Sequence, residues 1–118
     1  MPIYSEPQLA RIRDLNDEFR RSRSVHDIAW LSALENADLS VRESVAEIIR
    51  GYEIFLPEAS DPIQKSFGRF EFQGEIRNWE IGHLSLKYPE PKHLPRYDLS
   101  KVTKVMTVYD VPKKWQKG

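Results

Sequence analysis

An α+β domain is the fold class this sequence predicts, with an antiparallel sheet of three or four strands packed against two main helices. Three observations predict it. Phe67 to Leu84, FGRFEFQGEIRNWEIGHL, holds two aromatic-rich runs broken at Gln73-Gly74. Two stretches, Ser5 to Ser22 and Ser40 to Phe55, place apolar residues at helical spacing. Val102 to Val111 alternates in the manner of one more strand, and carries apolar residues on both faces.

The first helix opens on Ser5-Glu6-Pro7-Gln8. Ser5 can cap it, Pro7 fits the first turn, and Gln8 stands where a capping box places Glu or Gln. Leu9, Ile12, Leu15 and Phe19 form the apolar stripe, with Asn16 at the same spacing, while Arg11, Arg13, Asp14, Glu18 and Arg21 face away. Arg20-Arg21-Ser22-Arg23 is basic enough to meet a phosphate, and a solvated helix end complementing the dipole explains it as well. Val25 to Ala37 reads equally as a short helix through Ile28, Leu31 and Leu34 or as a strand through Ile28-Ala29-Trp30-Leu31. Ser40-Val41-Arg42-Glu43 matches a second capping box. The helix it begins buries Val41, Val45, Ile48, Ile49, Tyr52 and Leu56, and Pro57 stops it. Glu58 to Lys65 is a loop marked by Asp61-Pro62.

The hairpin is the centre of the domain. A two-residue turn at Gln73-Gly74 sets Phe72 opposite Glu75, Phe70 opposite Arg77 and Gly68 opposite Trp79. One face then carries Phe70, Phe72, Trp79 and Ile81, and the other Arg69, Glu71, Asn78 and Glu80. Gly68 leaves room for the Trp79 indole. Leu86 to Leu99, with three prolines, is too irregular for a strand. The last strand occupies a central place, Pro112 ends it, and residues 112–118 form a short basic tail.

At 118 residues the chain is a single domain, and 40% apolar with 31% charged content is ordinary for a globule. The absence of cysteine removes disulfides, thiolate metal sites and thiol nucleophiles together. No apolar run reaches membrane-span length and the start lacks a signal-peptide core, so the expected location is the cytoplasm, away from membranes. The net charge of zero is unevenly spread. Asp27 to Asp61 holds 2 basic against 8 acidic residues, and Pro62 to Gly118 holds 11 against 6. That split can steer a charged partner or favour a homo-oligomer assembled head to tail.

Catalytic signals are thin. His26, His83 and His93 lack metal-ligand spacing, and the five glycines form no phosphate loop, so neither a metal nor a cofactor is expected. His83 with Asp61 or Asp98, near Ser85 or Ser66, would make a small hydrolase, yet no nucleophile elbow precedes either serine. Binding has better material. Lys87, Tyr88, Lys92, His93, Arg96 and Tyr97, with Lys101, Lys104, Lys113, Lys114 and Trp115, combine cations, aromatics and interspersed prolines. An acidic protein face or a nucleoprotein complex suits that set, and so does a nucleic-acid backbone with stacked bases. The opposing reading folds Tyr88 and Tyr97 back over the sheet edge as a lid.

Ile12-Arg13-Asp14-Leu15-Asn16-Asp17-Glu18-Phe19-Arg20-Arg21 also resembles the opening of a bacterial family catalogued as domain of unknown function 3768. Asp61-Pro62, Phe67-Gly68, Gly74, Trp79 with Ile81, and Val105-Met106-Thr107-Val108 extend the resemblance over most of the chain. Two stretches depart from the pattern. Ile63-Gln64-Lys65-Ser66 stands where that family shows Gly-Glu-His-Asp, and Gly82 to Ser85 stands where it has Asp and Tyr. Chemistry carried by those positions in relatives would be lost here. The resemblance implies a small accessory protein of bacterial, plasmid or phage origin. Together with the missing catalytic motifs, it leads to a non-catalytic protein-binding module, an inhibitor aimed at a host defence complex.

Overall fold

The hairpin forms with the expected register. In the computed structural model, which describes residues 4–85 and 94–113, β2 (Phe67–Phe72) and β3 (Glu75–Leu84) pair antiparallel, with Phe72 opposite Glu75, Phe70 opposite Arg77 and Gly68 opposite Trp79. Gln73 (φ 53°) and Gly74 (φ 76°) both take positive φ, the conformation that matches a tight turn to the twist of its strands. Gly68 is required by contact. A methyl group there would lie 2.5 Å from Cζ of Tyr52 and 2.6 Å from Nε1 of Trp79. Only a residue without a side chain lets both rings close over the strand.

Two further strands complete a four-stranded sheet in the order β1-β4-β3-β2, where β1 is Ile28–Leu31 and β4 is Thr103–Asp110. β4 pairs antiparallel with β3 through eight residue pairs, Arg77 with Asp110 to Leu84 with Thr103, so its central position is as expected. β1 runs parallel to β4, Ile28 opposite Met106 and Leu31 opposite Tyr109, so the sheet is mixed and not purely antiparallel. A helix and the hairpin intervene between these two strands in sequence, enough chain to make the crossover that parallel neighbours need. Of the two readings of Val25 to Ala37, the short strand Ile28-Ala29-Trp30-Leu31 is the one that forms, as β1. Short 3-10 turns at Val25–Asp27 and Ala33–Asn36 flank β1.

Helix α1 (Glu6–Arg21) has the expected capping box. The Ser5 side chain accepts from the Gln8 N–H, and the Gln8 side chain accepts from the Ser5 N–H. Helix α2 spans Leu39–Arg50 and corrects the expectation of Ser40 to Phe55 at both ends. Asp38 occupies the N-cap, and Ser40 lies inside the first turn, where its carbonyl accepts from the Ser44 hydroxyl. The helix stops at Gly51, and Tyr52 and Phe55 leave the helical path to pack edge-on against the Trp79 ring, with centroids at 5.4 Å and 6.1 Å.

Both helices lie on one face of the sheet. Val45, Ala46 and Ile49 of α2 pack with Phe70, Trp79, Ile81, Met106 and Val108, and Phe19 of α1 joins the edge of that core. Trp79 is fully buried. The side-chain alternation of each strand sends Ala29, Leu31, Phe67, Arg69, Glu71, Ile76, Asn78, Glu80, Leu84, Val105, Thr107 and Tyr109 to the other face. The free side of β2 is lined by residues 59–61, where the Arg69 N–H donates to the Ala59 carbonyl at 2.7 Å and Ser60 bridges Gly68. No described helix is long and apolar enough to cross a membrane.

Candidate functional site

Arg20 belongs to the core, contrary to the look of a solvated basic helix end. Its side chain is fully buried, and Nη1 donates to the carbonyls of Ile49 at 3.1 Å and Arg50 at 3.0 Å. Those carbonyls are among the last of α2 and have no partner within the helix, so the guanidinium caps the negative end of its dipole. Nη2 meets Asp17 at 3.0 Å, and the guanidinium carbon lies 5.6 Å from the Phe55 ring and 5.8 Å from the Trp79 ring. Asp17 also holds Lys65 at 3.0 Å. Burial alone would raise the Asp17 pKa, but bonds to Lys65 and Arg20 outweigh it and hold the carboxyl below its usual range. This constellation is structural.

The inner face of the sheet is polar at both ends. At one end, Arg77 Nη1 donates to Asp110 at 2.5 Å and to the Ser32 hydroxyl at 3.1 Å. Asp110 also accepts from Ser32 Oγ at 2.7 Å and from the Ala33 N–H at 2.8 Å. Burial would raise the Asp110 pKa, yet the Ala33 N–H, the Ser32 hydroxyl and Arg77 together depress it. These bonds fasten the end of β1 to β3 and β4, another structural role.

The opposite end gathers His83, Lys104, Asn16, Gln64 and Arg96. Lys104 Nζ lies 2.5 Å from Asn16 Oδ1 and 2.7 Å from His83 Nε2. Asn16 donates to the Gln64 carbonyl at 2.8 Å, and Arg96 Nη1 donates to Gln64 Oε1 at 2.9 Å. Burial first, then the charges of Lys104 and Arg96, lower His83 to about 3. A neutral imidazole with its proton on Nδ1 accepts from Lys104 at Nε2. Burial and Arg96 lower Lys104 to about 8. Neither aspartate weighed as a catalytic partner bonds this histidine. Asp61 binds Ser66 Oγ and the N–H groups of Ile63 and Gln64, while Asp98 binds Ser100. A hydrolytic triad is not assembled among the described residues.

The His83 environment has a consequence for stability. The folded protein keeps this imidazole neutral well below its ordinary pKa of 6.5, whereas the unfolded chain protonates it there. The contribution of His83 to stability is therefore full above about pH 6.5 and is lost as pH falls toward about 3. Urea midpoints measured from pH 7 to pH 4 should fall steadily, and His83→Gln should flatten that decline.

The cationic and aromatic set expected to bind a partner is divided. Lys87, Tyr88, Lys92, His93, Lys114 and Trp115 lie outside the described residues. Arg96 turns to Gln64 and Lys104 to Asn16 and His83, so both point into the fold. Tyr97 meets Tyr4 edge-on at 6.0 Å, and the Tyr4 hydroxyl donates to the Leu94 carbonyl. Lys101 pairs loosely with Asp98 at 3.7 Å, and Lys113 is exposed past β4. Their chain order gave no hint of this division. For Lys104 a signal existed: it shares the alternation of Met106 and Val108, which are buried.

The outer face of the sheet lies opposite the two helices. Among the described residues no helix covers it. Arg69 Nε reaches Asn78 Oδ1 at 3.4 Å, and Asn78 Nδ2 donates to the Tyr109 hydroxyl at 3.2 Å, a polar ladder across three strands. Around it stand half-buried Phe67, Ile76, Val105 and Thr107, while Leu31 is 71% exposed and Leu84 60% exposed. Among the described residues no group of His, Asp or Glu could hold a metal ion. No family model, curated protein or solved structure matches the chain.

Proposed function

We propose that this chain is a non-catalytic binding module whose partner is another protein, engaged through the outer face of the sheet. The observation that carries the reading is the composition of that face. Phe67, Tyr109 and Arg69 are the residue types that anchor protein interfaces, and exposed Leu31 and Leu84 extend the apolar surface beside them. The polar ladder joining Arg69, Asn78 and Tyr109 holds those side chains in place before a partner arrives, which lowers the entropy lost on docking. Charge speaks for a protein rather than a nucleic acid. Arg69 is the single cation on the strands of that face, against Glu71 and Glu80, and a phosphate backbone requires an excess of cations. The narrower role, an inhibitor from a mobile element directed at a host defence complex, rests on the family resemblance.

A tagged chain should enrich a protein from a bacterial lysate, and Leu31→Glu with Thr107→Glu should lose it while Lys113→Glu keeps it. Both glutamates point outward, so the melting temperature should move little. Equal capture by the double variant would reject the outer face. A chain that enriches nothing beyond the tag control would reject the binding module.

A further inference from the structure

The end of the core that holds Lys104 has more positive charge than it can balance. Lys104 and Arg96 lie close enough for each to be felt by its neighbours, and His83, neutral, adds only an acceptor. No carboxylate among the described residues bonds either cation. Asp17 is committed to Arg20 and Lys65, Asp98 to Ser100 and Lys101, and Glu18 is exposed to water. A partly buried ammonium without a counter-charge is costly, and an ammonium has three protons to donate. Asn16 and His83 accept two of them. Arg96 Nε is likewise buried and has no acceptor.

Lys104 is also a wall of a cavity of about 270 Å³, shared with Leu15, Glu18, Phe19, Ser22 and Leu99. Leu15, Phe19 and Leu99 make the lining chiefly apolar, and Ser22 turns its hydroxyl to the Phe19 carbonyl. An apolar cavity with one unbalanced cation in its wall is the arrangement that small amphipathic anions fit.

We propose that this cavity binds a small monocarboxylate with an apolar tail, its carboxylate taking the third proton of Lys104 and its tail lying between Leu15, Phe19 and Leu99. The site lies on the helix-covered side of the sheet and does not depend on the outer-face interface. A carboxylate supplies the missing charge, and the tail displaces water from apolar walls. The titratable and charged groups facing Lys104 are His83 from β3, which is neutral, Arg96 from the segment before β4, and Glu18 from α1. Glu18, exposed to water, opposes the anion only weakly.

Octanoate titrated into the whole protein by calorimetry tests this. Saturable binding at one site per chain is expected at pH 7, with 1-octanol at least tenfold weaker because it lacks the charge. Lys104→Met keeps the length of the stem and should weaken octanoate about tenfold or more, whereas Lys104→Arg should retain it. In the wild type, which needs no variant to fold, octanoate affinity should fall as pH rises through about 8. Equal binding of 1-octanol, unchanged affinity in Lys104→Met, a flat pH profile, or no saturable binding would each overturn the proposal.

Discussion

Trp79→Ala is expected to destabilise the domain by about 3–5 kcal/mol, the range for emptying a large aromatic site in a packed core. The indole is fully buried and is enclosed from several sides. Tyr52 and Phe55 stand edge-on to it, Gly68 faces it from β2, and the Arg20 guanidinium lies over it. Tyr52 and Arg20 cannot move in to fill the space without losing bonds of their own. Tyr52 donates to the Arg69 carbonyl at 3.1 Å, and Arg20 is fixed to the end of α2. Trp79→Phe should cost less, under about 2 kcal/mol, because it keeps a ring in place and removes an indole N–H that is buried without an acceptor. Urea unfolding of the two variants measures both values. A loss near zero for Trp79→Ala would mean that the hairpin is not the centre of the core.

The second large effect belongs to Arg20. Arg20→Met keeps most of the volume but removes the guanidinium, and we expect a loss of about 3 kcal/mol. The Arg50 carbonyl would lose the guanidinium, the Ile49 carbonyl would keep only the Tyr52 N–H, and Asp17 would keep only Lys65. Hydrogen exchange should locate the damage, with amides in the last turn of α2 losing protection before those of β3 and β4. A loss below about 1 kcal/mol would show that water replaces the guanidinium at little cost.

These expectations also mark how far the sequence was legible. The hairpin could be read with its register because alternation has a period of two, and a slip of one residue would expose Phe70 and Trp79. The capping box at Ser5 and Gln8 is equally local, and it formed as expected. The second capping box, at Ser40 and Glu43, did not form, because the N-cap of α2 is Asp38, two residues before Ser40. Its end was misplaced for a physical reason. Tyr52 and Phe55 continue the apolar spacing of α2, but Gly51 ends the helix and Arg20 satisfies its carbonyls, so the two rings are free to cover Trp79. The parallel direction of β1 depends on where the chain crosses the sheet, which four residues do not encode.

The candidate site was less legible than the fold. Lys104 and Arg96, grouped by sequence with a solvent-facing binding surface, point inward because polar partners on α1 and the loop before β2 receive them. Spacing held part of the answer. Asn16 and Arg20 follow Ile12 at four-residue intervals and all three are fully buried; Asn16 already stood at the spacing of the stripe, and the charge of Arg20 hid that it continues it. His83 does lie on the face of Trp79 and Ile81, as alternation predicts. Alternation already put Arg69, Glu71, Asn78 and Glu80 on the outer face, but only the sheet order brings Leu31, Val105, Thr107 and Tyr109 beside them.

Hydroxyl-radical footprinting of the chain, alone and with its captured partner, tests the central functional claim most directly. Protection of Leu31, Phe67, Leu84 and Tyr109, with Ile54 and Ile63 unchanged, is expected if the partner docks on the outer face. Protection of Ile54 and Ile63 with the four outer-face residues as reactive as before would contradict it.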